Sequence, residues 1–464
     1  MTSAVLTIAD LRAAGRVPTL PFRLILADGE TLEMESLLRL LPGKRLVGVA
    51  RWRGMLVLAK LFLAPAAHRH GERERAGIAA LQAAGVRTPA LLYAGALPEA
   101  GFVVLTSFLD GARSVAAQWA EVSGETARLS ALRPAFERLG QLHARGLVHA
   151  DLHLDNFLLH AGECWLIDGD GIVADDATME NLALLLAQLP PLWDAHRAAL
   201  LHAYAAGGAS LPDPQALTRT VNRLRQWRLQ RFLKKTLRDC TQFAVAANAR
   251  CFSVVLRAEL ATWQAALKNA DTLIAAGQRF KDGGAATVAV VTVDGRPLVF
   301  KRYNLKHWRH ALSRAWRPSR AWHSWQEAHR LEFYGIATPK PLAMMEERMG
   351  PLRGRAFLLT EYCPGENLLT VLDADRVPEG QIAEAICRLF AQLHAQRITH
   401  GDLKANNLLW YGDEVQVIDL DAMQQHRSAA GYARAWRRDR ARFLRNWPAG
   451  SALHAWLDAK LPPA

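Results

Sequence analysis

The chain has 464 residues, of which 50% are hydrophobic and 22% charged, with a formal net charge of +13. This length exceeds what a single core usually fills and the composition is that of a globular protein, so two domains are expected. No run of 18 or more apolar residues occurs, the best candidate near Leu182–Leu192 being broken by Gln188 and Pro190-Pro191, and the N-terminus lacks a basic, apolar leader; neither a membrane-spanning helix nor a secretory signal is expected.

In chain order, short β-type runs come first, separated by turn signals such as Arg53-Gly54. Pro42-Gly43-Lys44-Arg45 and Gly48 are the glycine-bearing stretches here, and the run Val57-Leu-Ala-Lys60 ends in a lysine. A helical segment carrying Glu72 and Glu74 leads to Gly85-Val-Arg-Thr-Pro89. Leu132, Phe136, Leu139 and Leu142 recur at three- and four-residue spacing, which predicts a helix ending near His143. There follow His149-Ala-Asp151-Leu-His-Leu-Asp-Asn156 and an apolar run closing on Asp168-Gly-Asp170. The chain then reads as helical through Leu182–Tyr204, loops through 207–214 and resumes as a basic helix over 215–238.

The second half repeats this order. Gly277 and Asp282-Gly283-Gly284-Ala-Ala-Thr287 precede a β-run, Asp294-Gly295 marks a turn, and Leu298-Val-Phe-Lys301 again ends in a lysine. Ser324 stands where the first half has Glu74, with Glu327 the nearest acid on that helical face, and Gly335-Ile-Ala-Thr-Pro339 follows. A helix patterned by Ile386, Leu389, Phe390 and Leu393 leads to His400-Gly-Asp402-Leu-Lys404-Ala-Asn-Asn407 and then to Asp419-Leu-Asp421. Asp151 to Asp168 and Asp402 to Asp419 are the same interval apart, and the offset between halves drifts only toward their N-terminal parts, as changed loop lengths would cause. A repeat of this length is domain duplication, with domains placed at 1–250 and 251–464.

His-x-Asp-x₄-Asn with a later Asp is the layout of a kinase catalytic loop and its metal-binding aspartate. Phosphoryl transfer needs a cation on the phosphates, magnesium held by carboxylate and amide oxygens, and a base beside the acceptor hydroxyl. Each half offers that set. Lys60 and Lys301 would contact the ATP phosphates, Lys60 paired with Glu74 or Glu72 and Lys301 with Glu327 as the nearest helix acid, and Gly283 and Gly284 would form the phosphate loop. Asp151 and Asp402 are the candidate bases, with Lys404 placed to neutralise the transferred group. Asn156, Asp168, Asn407 and Asp419 are candidate Mg²⁺ ligands, with Asp170 and Asp421 as further ones. A zinc reading of His143, His149 and His153 is set aside, since no cysteine or carboxylate stands at ligand spacing. The expected fold is α+β: tandem bilobal protein-kinase-like domains, each with a small β-rich N-lobe and a helical C-lobe.

The pairing of His-[Ala/Gly]-Asp-Leu-x-x-x-Asn with Ile-Asp-x-Asp, in place of Asp-Phe-Gly, resembles the bacterial lipopolysaccharide core kinases (heptose kinase and InaA-type proteins). Gly-Ile-Ala-Thr-Pro-Lys-Pro-Leu at 335–342 and Arg-Phe-Leu-Arg-Asn-Trp at 442–447 strengthen the resemblance. It implies ATP- and Mg²⁺-dependent phosphorylation of a sugar hydroxyl of the inner core, at the cytoplasmic face of the inner membrane. The implied partner is a lipopolysaccharide core precursor or another anionic glycolipid. The tandem arrangement, the thin glycine loops and Ser324 depart from the family pattern.

Charge is clustered in a way that suits such a partner. Eight Lys/Arg and no acid lie between Arg219 and Arg238, seven and no acid between Lys301 and His323, and six arginines with one aspartate between Arg434 and Arg445. Trp227, Trp308, Trp316, Trp322 and Trp436 lie within these segments, a mixture that suits a membrane interface. Ordinary amphipathic packing has the same look. Nucleic acid is not expected, since no reader motif accompanies the charge. Five scattered cysteines without a Cys-x-x-Cys pair predict reduced thiols and a cytoplasmic location, with possible peripheral contact at the inner membrane. Two alternatives stay open: a small-molecule or protein kinase, the latter disfavoured by the missing Ala-Pro-Glu segment, and a partly or wholly non-catalytic kinase-like scaffold.

Overall fold

The computed structural model describes residues 4–281, 283, 286–304, 318–350 and 352–463. The chain divides into two compact units, one of residues 1–189 with 193–225 and one of 190–192 with 226–464. Both are α+β.

The first unit opens with a seven-stranded sheet whose spatial order is Ala4–Val5, Phe22–Ile25, Thr31–Leu41, Arg45–Trp52, Met55–Phe62, Gly101–Ser107, Leu91–Leu97. All neighbours are antiparallel except the first pair. Alternation along Arg45–Trp52 puts Leu46, Ala50 and Trp52 into a core with Phe22, Met34 and Val103. Helix Ala67–Ala83 lies between the fifth strand and the edge strand in sequence and packs on this sheet through Ala67 and Ile78. The second, helical part is built on Glu125–His143, whose predicted apolar positions Leu132, Phe136, Leu139 and Leu142 are all fully buried. The stretch read as one helix through 182–204 is three elements, Thr178–Leu186, the 3₁₀ turn Pro191–His196 and Arg197–Ala206. Pro190-Pro191 explains the break, because proline removes the amide donors an uninterrupted helix needs. The predicted basic helix is Pro214–Lys235.

The second unit has its own seven-stranded sheet, ordered Phe243–Ala247, Cys251–Leu256, Pro341–Met349, Leu352–Glu361, Arg296–Tyr303, Ala286–Val293, Gln278–Lys281. Its last five strands correspond one for one to five of the first unit, and the two extra strands are added at the opposite edge. Helix Arg320–Tyr334 packs on this sheet through Ala321 and Trp325. The helical part is centred on Gly380–Ala395, with Ile386, Leu389, Phe390 and Leu393 buried as their spacing predicts, against Trp436 and Phe443 of helix Ala429–Leu444.

Backbone details recur in both units. Gly85 and Gly335 end their helices at φ 69° and 68°. The amide of Leu166 donates to Arg87 O and that of Val417 to Ala337 O, each at 2.9 Å. The Thr-Pro segment therefore fastens the strand that presents the metal-loop aspartate in each unit.

Candidate active site

In each unit the strand lysine and the metal-loop aspartate come from separate elements and meet. Two short strands, Phe157–His160 and Glu163–Leu166 in the first unit and Leu408–Tyr411 and Glu414–Val417 in the second, form a hairpin after the catalytic loop. A single turn holds the loop asparagine against it: Ile167 N donates to Asn156 O at 2.9 Å, and Ile418 N to Asn407 O at 3.0 Å. The next residue, Asp168 or Asp419, adopts the left-handed conformation, φ 74° and 60°. That conformation is uncommon for a residue with a side chain and turns the carboxylate out of the strand line toward the lysine.

The first unit assembles a buried triad. Lys60 Nζ lies 2.5 Å from Glu74 Oε1 and 3.0 Å from Asp168 Oδ1. Glu74 also accepts the amides of Gly169 at 3.2 Å and Asp170 at 2.9 Å, so one carboxylate joins helix, strand and metal loop. The close approach depends on two glycines, since a Cβ on Gly77 would sit 1.9 Å from Gly169 O and one on Gly169 2.4 Å from Glu74 O. Burial favours the neutral forms of both Lys60 and Asp168, but their mutual attraction and Glu74 outweigh it. The ammonium pKa is raised and the Asp168 carboxyl is held well below the usual carboxylate range. Arg45 adds to that depression of Asp168, which puts a basic side chain of the Pro42–Arg45 hairpin within the field of the metal loop. Asp170 does not reach Lys60 and is paired with Arg73 at 3.1 Å and His70 at 3.5 Å.

The second unit solves the same problem differently. Lys301 pairs with Asp419 and with Asp421 Oδ1 at 2.8 Å. Asp421 Oδ1 also accepts Tyr303 Oη at 2.7 Å and Ser324 Oγ at 2.9 Å. Burial and the neighbouring Asp421 push the Tyr303 phenol well above its ordinary pKa, which keeps it a donor. Glu327, expected on Lys301, is instead bonded to Arg330 at 2.8 Å, one turn along its own helix. The physical reason is local: Glu327 holds the position of Gly77 and Leu420 that of Gly169, so the glycine contact that brings Glu74 to Lys60 has no counterpart. Of the predicted phosphate loop, Gly283 sits at φ 89° in the turn between two strands, and Gly284 lies outside the described residues.

The candidate bases also differ. Asp151 is exposed and makes no hydrogen bond or ion pair among the described residues. Asp402 is held by Arg442 Nη1 at 2.5 Å and Lys404 Nζ at 3.1 Å. Asn407 Nδ2 donates to Asp402 O at 2.9 Å, which leaves its amide oxygen to a ligand, whereas Asn156 Oδ1 accepts the His153 amide at 2.7 Å. The loop backbone is clamped from behind. Asp439 accepts the amides of His400 at 2.6 Å and Gly401 at 3.0 Å, and Asn181 brackets His149, accepting its amide at 3.2 Å and donating to its carbonyl at 2.7 Å. His149 is fully buried and its pKa is lowered chiefly by that burial, while the His400 ring meets Ile418 O at 2.8 Å. His143 is bonded to Tyr204 and Asn181. These histidines are structural.

Tyr303, Arg442, Asn181 and Asp439 were not foreseen. Tyr303 had a signal, standing two residues beyond Lys301 on the same face of its strand. Arg442 lies in the Arg-Phe-Leu-Arg-Asn-Trp stretch quoted above, where nothing local marks it as reaching Asp402.

No cluster of three or more His, Cys, Asp or Glu able to hold a metal occurs among the described residues. Magnesium suits this donor set all the same, because it commonly takes one or two carboxylates and completes its octahedron with water and phosphate oxygens. Asp168, and Asp419 with Asn407, are the residues that could hold it.

A family model described as lipopolysaccharide kinase (Kdo/WaaP) family matches residues 50–204 and 276–449. Among solved structures, "WaaP in complex with acyl carrier protein" aligns at 22% identity and a TM-score of 0.31, covering 45% of this chain and 97% of that one. No curated protein matches the chain.

Proposed function

This chain belongs to the lipopolysaccharide kinase (Kdo/WaaP) family, and we propose that it transfers the γ-phosphoryl group of ATP to a sugar hydroxyl of the lipopolysaccharide inner core, at the cytoplasmic face of the inner membrane. The observation that carries the reading is the pairing, in each unit, of a strand lysine with a left-handed metal-loop aspartate. Lys60 and Lys301 bind the phosphates. Asp151 and Asp402 orient the acceptor hydroxyl and take its proton as the oxygen bonds to the γ-phosphorus and ADP leaves. Lys404 and Arg442 stabilise negative charge beside Asp402. Magnesium, when bound at Asp168 or at Asp419 and Asn407, neutralises charge on the phosphates. Asp170 and Asp421, read from the sequence as further ligands, are engaged with protein cations.

Membrane contact is supported by helix Pro214–Lys235, where Trp227, Arg231 and Lys234 are exposed and the Arg231 guanidinium lies 4.7 Å from the Trp227 ring centre. No helix among the described residues is long and apolar enough to cross a membrane, so the contact would be peripheral. Mass spectrometry of core oligosaccharide from a deletion strain tests the acceptor. A phosphate lost on deletion and restored by the wild-type chain is expected; an unchanged phosphate pattern contradicts the proposal. Absence of any Mg-ATP binding would overturn the enzyme reading and favour a kinase-like scaffold.

A further inference from the structure

The second aspartates of the two Asp-x-Asp pairs occupy matching sequence positions and do different work. Asp170 pairs with Arg73 and lies beside His70, while Asp421 pairs with Lys301. Asp421 Oδ1 takes three donors, from Lys301 at 2.8 Å, Tyr303 at 2.7 Å and Ser324 at 2.9 Å. A carboxylate oxygen offers about two lone-pair directions, so a cation could bind this oxygen only by displacing protein donors already in place. Ser324 stands at the helical position of Glu74 and is 2% exposed. The helix therefore contributes a hydroxyl where the first unit has an acid, and the acid comes from the metal loop.

We propose that Asp421 is the positioning residue for Lys301, filling in the second unit the role Glu74 fills in the first. The proposal rests on the nucleotide-binding reading of Lys301. Tyr303 and Ser324 are part of the device, since both donate to the same oxygen and fix its direction. One consequence follows for the helix. In the first unit, moving helix Ala67–Ala83 would take the lysine's partner away. In the second, both carboxylates on Lys301 sit on the loop 419–421, and the helix contributes only the Ser324 hydroxyl that bonds one of them.

The test is an acid swap in the full chain carrying Lys60→Ala, so that nucleotide binding reports the second unit. Calorimetric titration with Mg-ATP compares this parent with Asp421→Ser and with Ser324→Glu/Asp421→Ser, which returns the acid to the helix. The single change is expected to weaken binding by about tenfold, the order of one charge-assisted contact, and the swap to recover most of that loss. Lysine-directed labelling of Lys301, read by peptide mass spectrometry without nucleotide, runs in parallel. Its rate should rise in Asp421→Ser and fall back in the swap. Unchanged labelling and affinity in a folded Asp421→Ser variant would overturn the proposal, as would a lost magnesium requirement with labelling unaltered. If the Lys60→Ala parent itself binds no Mg-ATP, the kinase reading of the second unit fails, and the labelling series alone still decides whether Asp421 positions Lys301.

Discussion

Arg442 Nη1 lies 2.5 Å from Asp402 Oδ1 and also donates to Gly401 O at 3.1 Å, tying the candidate base of the second unit to helix Ala429–Leu444. The tie fixes the carboxylate where an acceptor hydroxyl would meet it. A misplacement of about 1 Å can cost on the order of 100-fold in rate. Arg442→Ala is therefore expected to lower turnover by the second unit between about tenfold and 100-fold with Mg-ATP affinity unchanged. Core phosphate per cell and calorimetry, measured in an Asp151→Asn background, check this; equal loss of affinity and turnover would mean that Arg442 serves the nucleotide instead.

The Lys60–Glu74–Asp168 triad predicts a pH signature. Asp168 has a depressed folded pKa, so its contribution to stability is present above the unfolded carboxylate value of about 3.9 and lost as pH falls through the folded one. Lys60 has a raised folded pKa, so its contribution is present below about 10.4 and lost as pH rises through the folded value. The thermal midpoint difference between wild type and Lys60→Met should be flat between about pH 4 and 10 and narrow outside that window. A difference that peaks near pH 7 and falls within the window would contradict the triad.

Glu74→Ala leaves two backbone amides without a partner and Lys60 with Asp168 alone. Breaking a buried pair in this way costs about 3 kcal/mol, which should appear as a lower unfolding midpoint in denaturant. Asp439→Ala makes the corresponding change beneath the second catalytic loop, orphaning the amides of His400 and Gly401 at a cost of about 1–3 kcal/mol. Asp439→Asn keeps an acceptor for them and should recover much of the loss. Equal stability of Ala and Asn variants would remove the clamp from the account.

For the membrane contact, reversing charge at Arg231 and Lys234 and changing Trp227 to Ala should weaken binding to vesicles containing phosphatidylglycerol. The expected loss is about 1 kcal/mol per basic residue, reduced by added salt. Flotation in which the triple variant binds as strongly as wild type would set this helix aside.

The architecture was legible because it is written in spacing. The lysines at strand ends, the 17-residue interval between loop and metal aspartates and the apolar faces of Glu125–His143 and Gly380–Ala395 are local patterns. The helix acid was legible only as a choice between Glu72 and Glu74, and the fold puts Glu74 on Lys60 and Glu72 on Arg75. The error at Glu327 shows where pattern stops. Glu327 stands one helical turn beyond the position of Glu74, where the first unit has Gly77, and its carboxylate is taken by Arg330. Arg442 was hidden because it reaches Asp402 from 40 residues away in sequence. Asn181 and Asp439 were hidden likewise, each acting on a loop far upstream through contacts that only the folded helices create.

The central claim is that both units carry a working Mg-ATP site, and one calorimetric titration addresses it most directly. Wild type should bind two equivalents of Mg-ATP, and Asp168→Ala and Asp419→Ala should each bind one, with magnesium required throughout. Retention of both equivalents in either variant, or absence of binding by the wild type, would contradict the account.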